Sequence, residues 1–503
     1  MMRNRRNLLL ALTLALSLSV PVSAPAADTF TLVLGDSTEV NTRINVSHKG
    51  SSGFAPDIYL QPCSSSITTD CIQSVLYQRK NSSDWITLIP DDKIIFPAAG
   101  VPRFGASASI IVETATEYAA DIPNNFPAGG MTRLYKDSRA VNDDGIRYLV
   151  QARATGSVSA EGRATWNNLR FDIKAVTVTD YTKLGLFGFP SVRTLLDFQN
   201  VAQFKIELRS KATRNLFNGW FYGRILQPEI KYTSVGEDES VVQITGAPMA
   251  IQVARGDITF SDYAAIQKSN ESVLRSFPNG VSMVFLGATD GFANGQGAMT
   301  SWRLLSPLMP ERAAPSASAF SLSTTKNPGL LTDYYPQGCQ ASQSLDGVVS
   351  TNATMYNPAP PSYDAKDGSL NFEVGSPHLD STGKVLQGFY SMVVSAKIAK
   401  CIWGSDLTNA KATVSIVNDS GTAQVSSSAL KFANDFYFFH ISGFTYSTKK
   451  ISIRLQPASA LVVTPTPTPQ VKAPVKRISC VKGNLKKYVS GVKPVCPKGY
   501  KIK

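Results

Sequence analysis

The chain has 503 residues, 43% of them hydrophobic, with a formal charge of +13, 6 cysteines and 3 histidines. Residues 1–27 contain three arginines and no acid, and residues 471–503 contain ten Lys and Arg and no acid, so residues 28–470 carry no net charge. A neutral body argues against a nucleic-acid partner, which needs clustered cations, and three scattered histidines exclude a histidine-rich metal site.

The first 27 residues are typical of an export signal. Arg3, Arg5 and Arg6 precede the apolar run LLLALTLALSLSV and the small residues SAPAA. This order predicts a signal peptide over residues 1–27, cleaved after Ala26 or Ala27. The pattern leaves general secretory and twin-arginine export both open. Since no other segment is long and apolar enough to cross a bilayer, we expect no transmembrane anchor in the mature chain.

Residues 28–309 are predicted to be a β-rich region. Short runs such as TFTLVLG, IRYLVQAR and FKIELRS alternate or stay apolar over four to eight residues, and turn-forming residues separate them. The pattern favours antiparallel sandwiches. The region is long for one sandwich, which leaves open two subdomains divided near residues 180–190. One segment, 262–277, has helical spacing with Ser261 as its N-cap.

The remainder predicts four further segments. Residues 310–329 are rich in Ala, Ser, Thr and Pro, which indicates a linker. Residues 330–456 are predicted to form a second β-sandwich domain. Residues 457–475 are predicted to be a Pro/Thr tether, and residues 476–503 a basic module. The predicted fold class is therefore mainly β: two or three antiparallel β-sandwich-like domains with one short embedded helix, the tether, and a small disulfide-stapled module.

The six cysteines fall into three local pairs, each inside one predicted region. An exported chain can keep disulfides, and no pair has the C-x2-C spacing of a zinc site. We therefore predict three disulfides and no metal. The predicted pairs are Cys63–Cys71, Cys339–Cys401 and Cys480–Cys496.

Five stretches suggest chemistry of three kinds, and each has a simpler structural explanation. LVLGDS, ending at Ser37, resembles the nucleophile block of GDSL esterases, but no histidine follows an aspartate by three residues to act as the base. FNGWFYGR (217–224) and NDFYFFHISGF offer aromatic rings for a sugar ligand, although such strands usually supply a core. NDDG and GEDES lack calcium-loop spacing and favour turns. No catalytic residue and no cofactor is predicted.

The last segment has the clearest physical signal. A module of about thirty residues cannot bury enough surface to fold unaided, so a staple is expected. Its lysines, without an acid among them, attract polyanions. The alternative is a merely solubilising tail. The candidate envelope-binding residues are Lys482, Lys486, Lys487, Tyr488, Lys493, Lys498 and Tyr500.

This tail also carries a resemblance. ISCVKGNLKKYVSGVKPVCPKGYK resembles a C-terminal segment of secreted and envelope proteins of actinobacteria, of the form I-x-C-V-K-G … V-x-P-x-C-P-x-G-Y-K. GFYSMVVSAKIAKCIWG and ISGFTYSTKKISIRL are similar to the last β-domain of uncharacterised proteins from that group. The resemblance implies an extracellular or envelope location and carries no catalytic residue.

The sequence thus favours a secreted, envelope-associated, non-enzymatic protein. Its β body would bind or adhere, and its tail would hold an anionic cell-wall polymer or another extracellular polyanion. Two alternatives stay open: a secreted polysaccharide hydrolase with a carboxylate pair that sequence cannot locate, and a structural surface-layer subunit.

Overall fold

The structure is a computed structural model. The predicted signal peptide, the predicted tether and the NDDG segment up to Gly145 lie outside the residues that it describes. It describes residues 28–36, 57–91, 101–104, 110–113, 117–130, 133–139, 146–184, 190–195, 197–211, 214, 216–277, 281–287, 297–315, 317–325, 339, 344–404, 407, 410–418, 427–446, 449–456, 476–483, 485–491 and 494–502.

Short strands dominate these residues because most runs alternate apolar and polar side chains. In chain order the strands are β1 Thr29–Leu34, β2 Asp57–Tyr59, β3 Cys71–Arg79, β4 Trp85–Pro90, β5 Val101–Phe104, β6 Ile110–Glu113, β7 Glu117–Tyr118, β8 Gly129–Gly130, β9 Arg133–Asp137, β10 Ile146–Val158, β11 Ala164–Leu184, β12 Pro190–Thr194, β13 Val201–Lys211, β14 Gly219–Arg224, β15 Leu226–Val235, β16 Glu239–Ala247, β17 Gln252–Thr259, β18 Met283–Leu286, β19 Ala314–Pro315, β20 Phe320–Thr325, β21 Leu345–Thr351, β22 Met355–Tyr356, β23 Ser362–Asp364, β24 Ser369–Gly375, β25 Gln387–Ser395, β26 Lys411–Asn418, β27 Ser427–Ala433, β28 Phe436–Thr445, β29 Lys449–Gln456, β30 Lys476–Lys482, β31 Leu485–Gly491 and β32 Lys501–Ile502.

The helices are α1 Phe260–Lys268, α2 Gly297–Leu305 and α3 Ala396–Trp403, with a 3-10 turn at Ser306–Leu308. The mainly β class with antiparallel sheets is confirmed. Helices α2 and α3 add to the one helix that the sequence predicts.

The predicted helix over 262–277 has wrong bounds. Thr259, not Ser261, is the N-cap, because its hydroxyl accepts the N–H of Asp262 at 3.0 Å. The helix ends early, and the Asn270 side chain then donates to the carbonyl of Ile266, a local bond that competes with further helix.

One long sheet forms the centre of the molecule. Its strands pair in the order β15-β16-β13-β3-β4-β9-β10-β11-β20-β14-β21-β25-β28-β27, and every pairing is antiparallel except β14 with β21. Strand β2 also pairs with β10, and β12 with β11. The sequence order and the spatial order therefore differ widely.

The long sheet curls until distant strands meet. Phe204 in β13 packs edge-on against Phe320 in β20, with ring centroids 5.2 Å apart. The two end strands also approach, since Lys431 in β27 bonds Glu229 in β15 at 2.8 Å. The curl encloses one of two hydrophobic cores.

A second core fills the space between the outer face of β14, β21, β25 and β28 and two smaller sheets. One small sheet has the order β18-β1-β17-β19, the other β22-β24-β29-β26 with β23 beside β24. Trp220 and Tyr222 point into this second core while Phe221 points into the first, as strand alternation predicts for FNGWFYGR.

The pairings contradict the predicted domain bounds. Strand β14 from the predicted 28–309 region pairs with β20, inside the predicted linker 310–329, and with β21, inside the predicted 330–456 domain. The described part of 310–329 therefore contributes to a central sheet instead of connecting domains. No division appears near 180–190 either, because β11 and β12 pair with each other across that point.

The structure bonds the three cysteine pairs expected from the sequence: Cys63–Cys71, Cys339–Cys401 and Cys480–Cys496. Among the described residues no helix has both the length and the apolar character needed to span a bilayer.

Candidate functional site

The basic C-terminal module is a three-stranded antiparallel sheet of order β31-β30-β32. Lys482 pairs with Leu485 across a two-residue turn, and Gly483 in that turn has φ +57°, a conformation that glycine adopts without steric cost. The local sequence KGNL therefore sets the hairpin.

The side chains of this module that the structure describes form almost no apolar core. Cys480 is fully buried, whereas Val495 and Ile502 are 76% and 65% exposed. Because the described side chains bury so little apolar surface, the Cys480–Cys496 bond is the main element that holds β30 to the segment before β32. By the chain-entropy model, closing that loop contributes about 3 kcal/mol.

Three of the module's described side chains are exposed cations. Lys482, Lys498 and Lys501 are exposed, and Tyr500 is half-buried. Of the other candidate residues, Lys486, Lys487 and Tyr488 have a described backbone in β31 only, and Lys493 lies outside the described residues. The register places Lys486 and Lys501 on either side of Val481 in one row across the sheet.

Asp36, in the GDS segment that follows β1, has a structural role. Asp36 accepts a hydrogen bond from Arg224 Nε at 2.8 Å, and Arg224 is 1% exposed. The same guanidinium donates to the carbonyls of Thr351 and Ala353 and lies over the Tyr356 ring. These contacts join the end of β1 to β14 and to the segment that follows β21. Ser37, the nucleophile that an esterase would need, lies outside the described residues.

A second carboxylate, that of Asp172 in β11, lies on the same face of the long sheet as Arg224. Arg170 Nε is 3.7 Å from Asp172 Oδ2. Asp36 and Asp172 each keep one buried carboxylate oxygen that lacks a hydrogen-bond partner among the described residues. Each carboxylate has an arginine beside it, so the charges in this cluster neutralise each other where the segment after β1 meets the long sheet. In register the rows are Arg170, Ser323, Tyr222 and Asp172, Ser321, Arg224.

The described histidines do not activate an accessible nucleophile. His440 Nδ1 is 2.6 Å from Ser391 Oγ, the one serine–histidine pair among the described contacts, but Ser391 is fully buried and no substrate can reach it. Burial lowers the pKa of His440 below its ordinary value. His378 bonds the Tyr446 carbonyl. His48 lies outside the described residues.

The aromatic stretch 217–224 supplies core. Phe217, Trp220, Phe221 and Tyr222 are all buried, so their rings offer no platform for a sugar. In the second stretch, Tyr437 packs on Phe432 with centroids 4.6 Å apart, and Phe432 is 55% exposed. A single exposed aromatic side chain on a sheet edge is ordinary.

The first three residues of the acidic GEDES segment (236–240) form the turn between β15 and β16, with Gly236 at φ +65°, and the last two begin β16. Within the described ranges no group of three His, Cys, Asp or Glu side chains is arranged to hold a metal ion.

Sequence reasoning missed one perturbed acid. Asp346 in β21 is 1% exposed, and burial raises its pKa to about 7. Its Oδ2 lacks a hydrogen-bond partner in the described part of the chain. The segment SLDGVV gives no signal of this, because the burial comes from strands distant in sequence.

Comparison with known proteins adds little. No family model matches the chain, and no curated protein matches it. A solved structure, the conserved domain protein from Bacillus anthracis, is 11% identical and covers 74% of this chain and 87% of its own, with a TM-score of 0.14. A TM-score that low carries no argument about fold or function.

Proposed function

We propose that this protein works outside the cytoplasm, held noncovalently at the cell envelope by its basic C-terminal module, while its β body binds or adheres. The observation that carries the proposal is the charge distribution. Residues 471–503 have ten Lys and Arg and no acid, whereas residues 28–470 sum to zero. A polyanion such as an anionic cell-wall polymer is therefore attracted to the tail and little to the rest.

The geometry of the module supports an electrostatic contact. Lys482, Lys498 and Lys501 are exposed on the stapled module, so their charges lie within one small region of the protein. A stapled sheet loses less conformational entropy on binding than a flexible basic string. Attraction of this kind is screened beyond about 8 Å at physiological salt, which makes contact with the polymer necessary.

The disulfides support a location outside the cytoplasm. Three cystines persist in oxidising compartments and are rare in a reducing cytosol. The same location follows from the export signal pattern in residues 1–27 and from the resemblance of the tail to actinobacterial secreted proteins.

The test is co-sedimentation of the full-length mature protein with purified Gram-positive cell walls at increasing salt. The test variant carries Lys482→Gln, Lys486→Gln and Lys487→Gln. The matched control removes the same charge from the body at three exposed positions, Lys231→Gln, Lys366→Gln and Lys384→Gln.

We expect binding to weaken steeply as salt rises and to weaken further in the tail variant, with the control close to the parent protein. Reduction of the Cys480–Cys496 bond should also weaken binding, because it frees the lysines from one surface. Binding that ignores salt, or an equal loss in the tail variant and the body control, would contradict the proposal.

A further inference from the structure

A cavity of about 480 Å³ opens beside the start of β3 and the end of β13, far in sequence from the basic module. One wall is the loop from Ser66 to Asp70, which the Cys63–Cys71 bond closes. The volume lies within the range of about 300–1,000 Å³ that is usual for small-molecule sites. The other lining residues come from two further segments, 119–128 and 211–214: Ala119, Ala120, Ile122, Ala128, Lys211 and Arg214.

The carboxylate in the cavity is already occupied. Ser210 Oγ donates to Asp70 Oδ1 at 2.7 Å, and the Lys211 N–H donates to the same oxygen at 3.1 Å. Arg214 Nε lies 2.8 Å from Asp70 Oδ2, and both side chains are nearly fully buried. Arg214 also donates to the Asn125 carbonyl. Asp70 and Arg214 therefore neutralise each other and fix the wall.

The ammonium of Lys211 is the charge left over. Among the lining residues the structure gives one acid, Asp70, against two cations, so the cavity has an excess of one positive charge. Lys211 is half-buried, where its attraction for an anion is screened less than at the open surface. Nearby, Thr69 Oγ1 is buried and has no hydrogen-bond partner among the described residues.

The rest of the lining limits the class of ligand. The apolar members are short aliphatic side chains, Ile67, Ile122 and three alanines, and the described lining includes no aromatic ring on which a sugar could stack. A phosphate prefers the planar fork of an arginine, and the fork of Arg214 is held by Asp70 and Asn125. The single excess charge of Lys211 suits a carboxylate, which carries one negative charge.

We propose that this cavity binds a small organic carboxylate with short aliphatic groups, such as the free C-terminal end of a short peptide. Lys211 pairs with the carboxylate, and the alanines accept methyl-sized side chains. The disulfide-closed loop holds this geometry before the ligand arrives. The inference goes beyond the anchoring role and would stand if the tail bound no polymer.

The test titrates the full chain with N-acetyl-alanyl-alanine by calorimetry or NMR. The comparison ligands are its C-terminal amide, which has the same shape without the charge, and inorganic phosphate. Lys211→Met removes the excess cation, and Lys231→Met makes the same change on an exposed strand position outside the cavity. Ala120→Leu adds three carbons at an exposed position of the cavity lining and so narrows the cavity.

We expect saturable binding of the acid, with the amide about tenfold weaker, which is the loss expected for one ion pair. Lys211→Met should lose about tenfold for the acid and no longer prefer acid over amide. Ala120→Leu should weaken binding of the acid and of the amide alike at an unchanged melting temperature, and Lys231→Met should bind like the parent. Equal affinity for acid and amide, tighter binding of phosphate than of the acid, or full binding by Ala120→Leu would each overturn the proposal.

Discussion

Replacing Asp346 with asparagine should change how stability depends on pH. Asp346 is almost fully buried, and the largest influence on it is desolvation, which raises its pKa from 3.8 to about 7. Lys397 opposes that shift without cancelling it. Asparagine has nearly the same shape and does not ionise, so Asp346→Asn removes the titration and keeps the packing.

The size and sign follow from linkage. The folded chain holds the Asp346 proton up to about pH 7, while the unfolded chain releases it near pH 4, so the folded state binds more protons between these values. Stability of the parent protein therefore falls as pH rises through this window. At about 1.4 kcal/mol for each tenfold change in the proton affinity, the total loss is about 4 kcal/mol.

The assay is urea unfolding of both proteins from pH 4 to pH 8, compared as the difference in free energy of unfolding. The free energy of unfolding of Asp346→Asn, relative to that of the parent, should rise by about 4 kcal/mol between pH 4 and pH 7 and stay constant above pH 7. The titration of His440 occurs in both proteins and drops out of the difference.

Asp380→Asn is the control with the opposite sign. Asp380 is exposed, and the Thr382 hydroxyl lowers its pKa, so its ionised form favours the folded state and its removal brings no gain with rising pH. A stability difference for Asp346→Asn that stays flat from pH 4 to pH 7 would refute the reasoning.

Three further outcomes are expected. Deleting 457–503 should leave the cooperative melting of the body unchanged, because no described strand of the module pairs outside it; a large fall in melting temperature by calorimetry would show that the tail docks. Replacing both Cys339 and Cys401 with alanine should lower stability by about 4 kcal/mol in denaturant titrations, since their bond closes a long loop, and the parent should show no thiol in a denaturing titration. Arg224→Met should lower the free energy of unfolding by about 3 kcal/mol, because Asp36 and two carbonyls lose a buried donor. A loss below about 1 kcal/mol would contradict a stabilising role for these bonds.

The presence of strands, and the face of the strand to which each side chain points, can be predicted from the sequence because both depend on neighbours along the chain. The alternation in FNGWFYGR places Trp220 and Tyr222 on one face and Phe221 on the other, and the two cores contain them in that division. The helix bounds fail for a local reason that the pattern does not show, since the Asn270 side chain bonds the turn before it.

The domain bounds fail because strand pairing is nonlocal. FSLSTT in β20 has the Ser/Thr composition of a linker, yet the same small polar side chains fit between β11 and β14. Strand β14 lies beside β21, more than a hundred residues away, and no local pattern announces such a partner. A shift to small polar residues therefore does not by itself mark the end of a domain, because such residues can also form a strand inside a sheet.

The two proposed sites differ in the same way. The charge of the tail is a sum over residues, so the sequence displays it without a fold. The cavity exists only where the loop that ends at Asp70, the segment from Ala119 to Ala128, and Lys211 with Arg214 converge, and no motif joins them. The sequence does not distinguish Lys211 from the other lysines of the body. Its role depends on the ion pair between Asp70 and Arg214, which is formed only in the fold.

Salt separates the two sites physically. A surface of many exposed lysines binds a polyanion through several charges at once, so its affinity falls steeply with ionic strength. The cavity has one excess cation in a half-buried setting, so a small carboxylate should lose little affinity over the same range. One protein that shows both dependences would need two independent sites, because a single basic surface that served both ligands would weaken toward both in parallel.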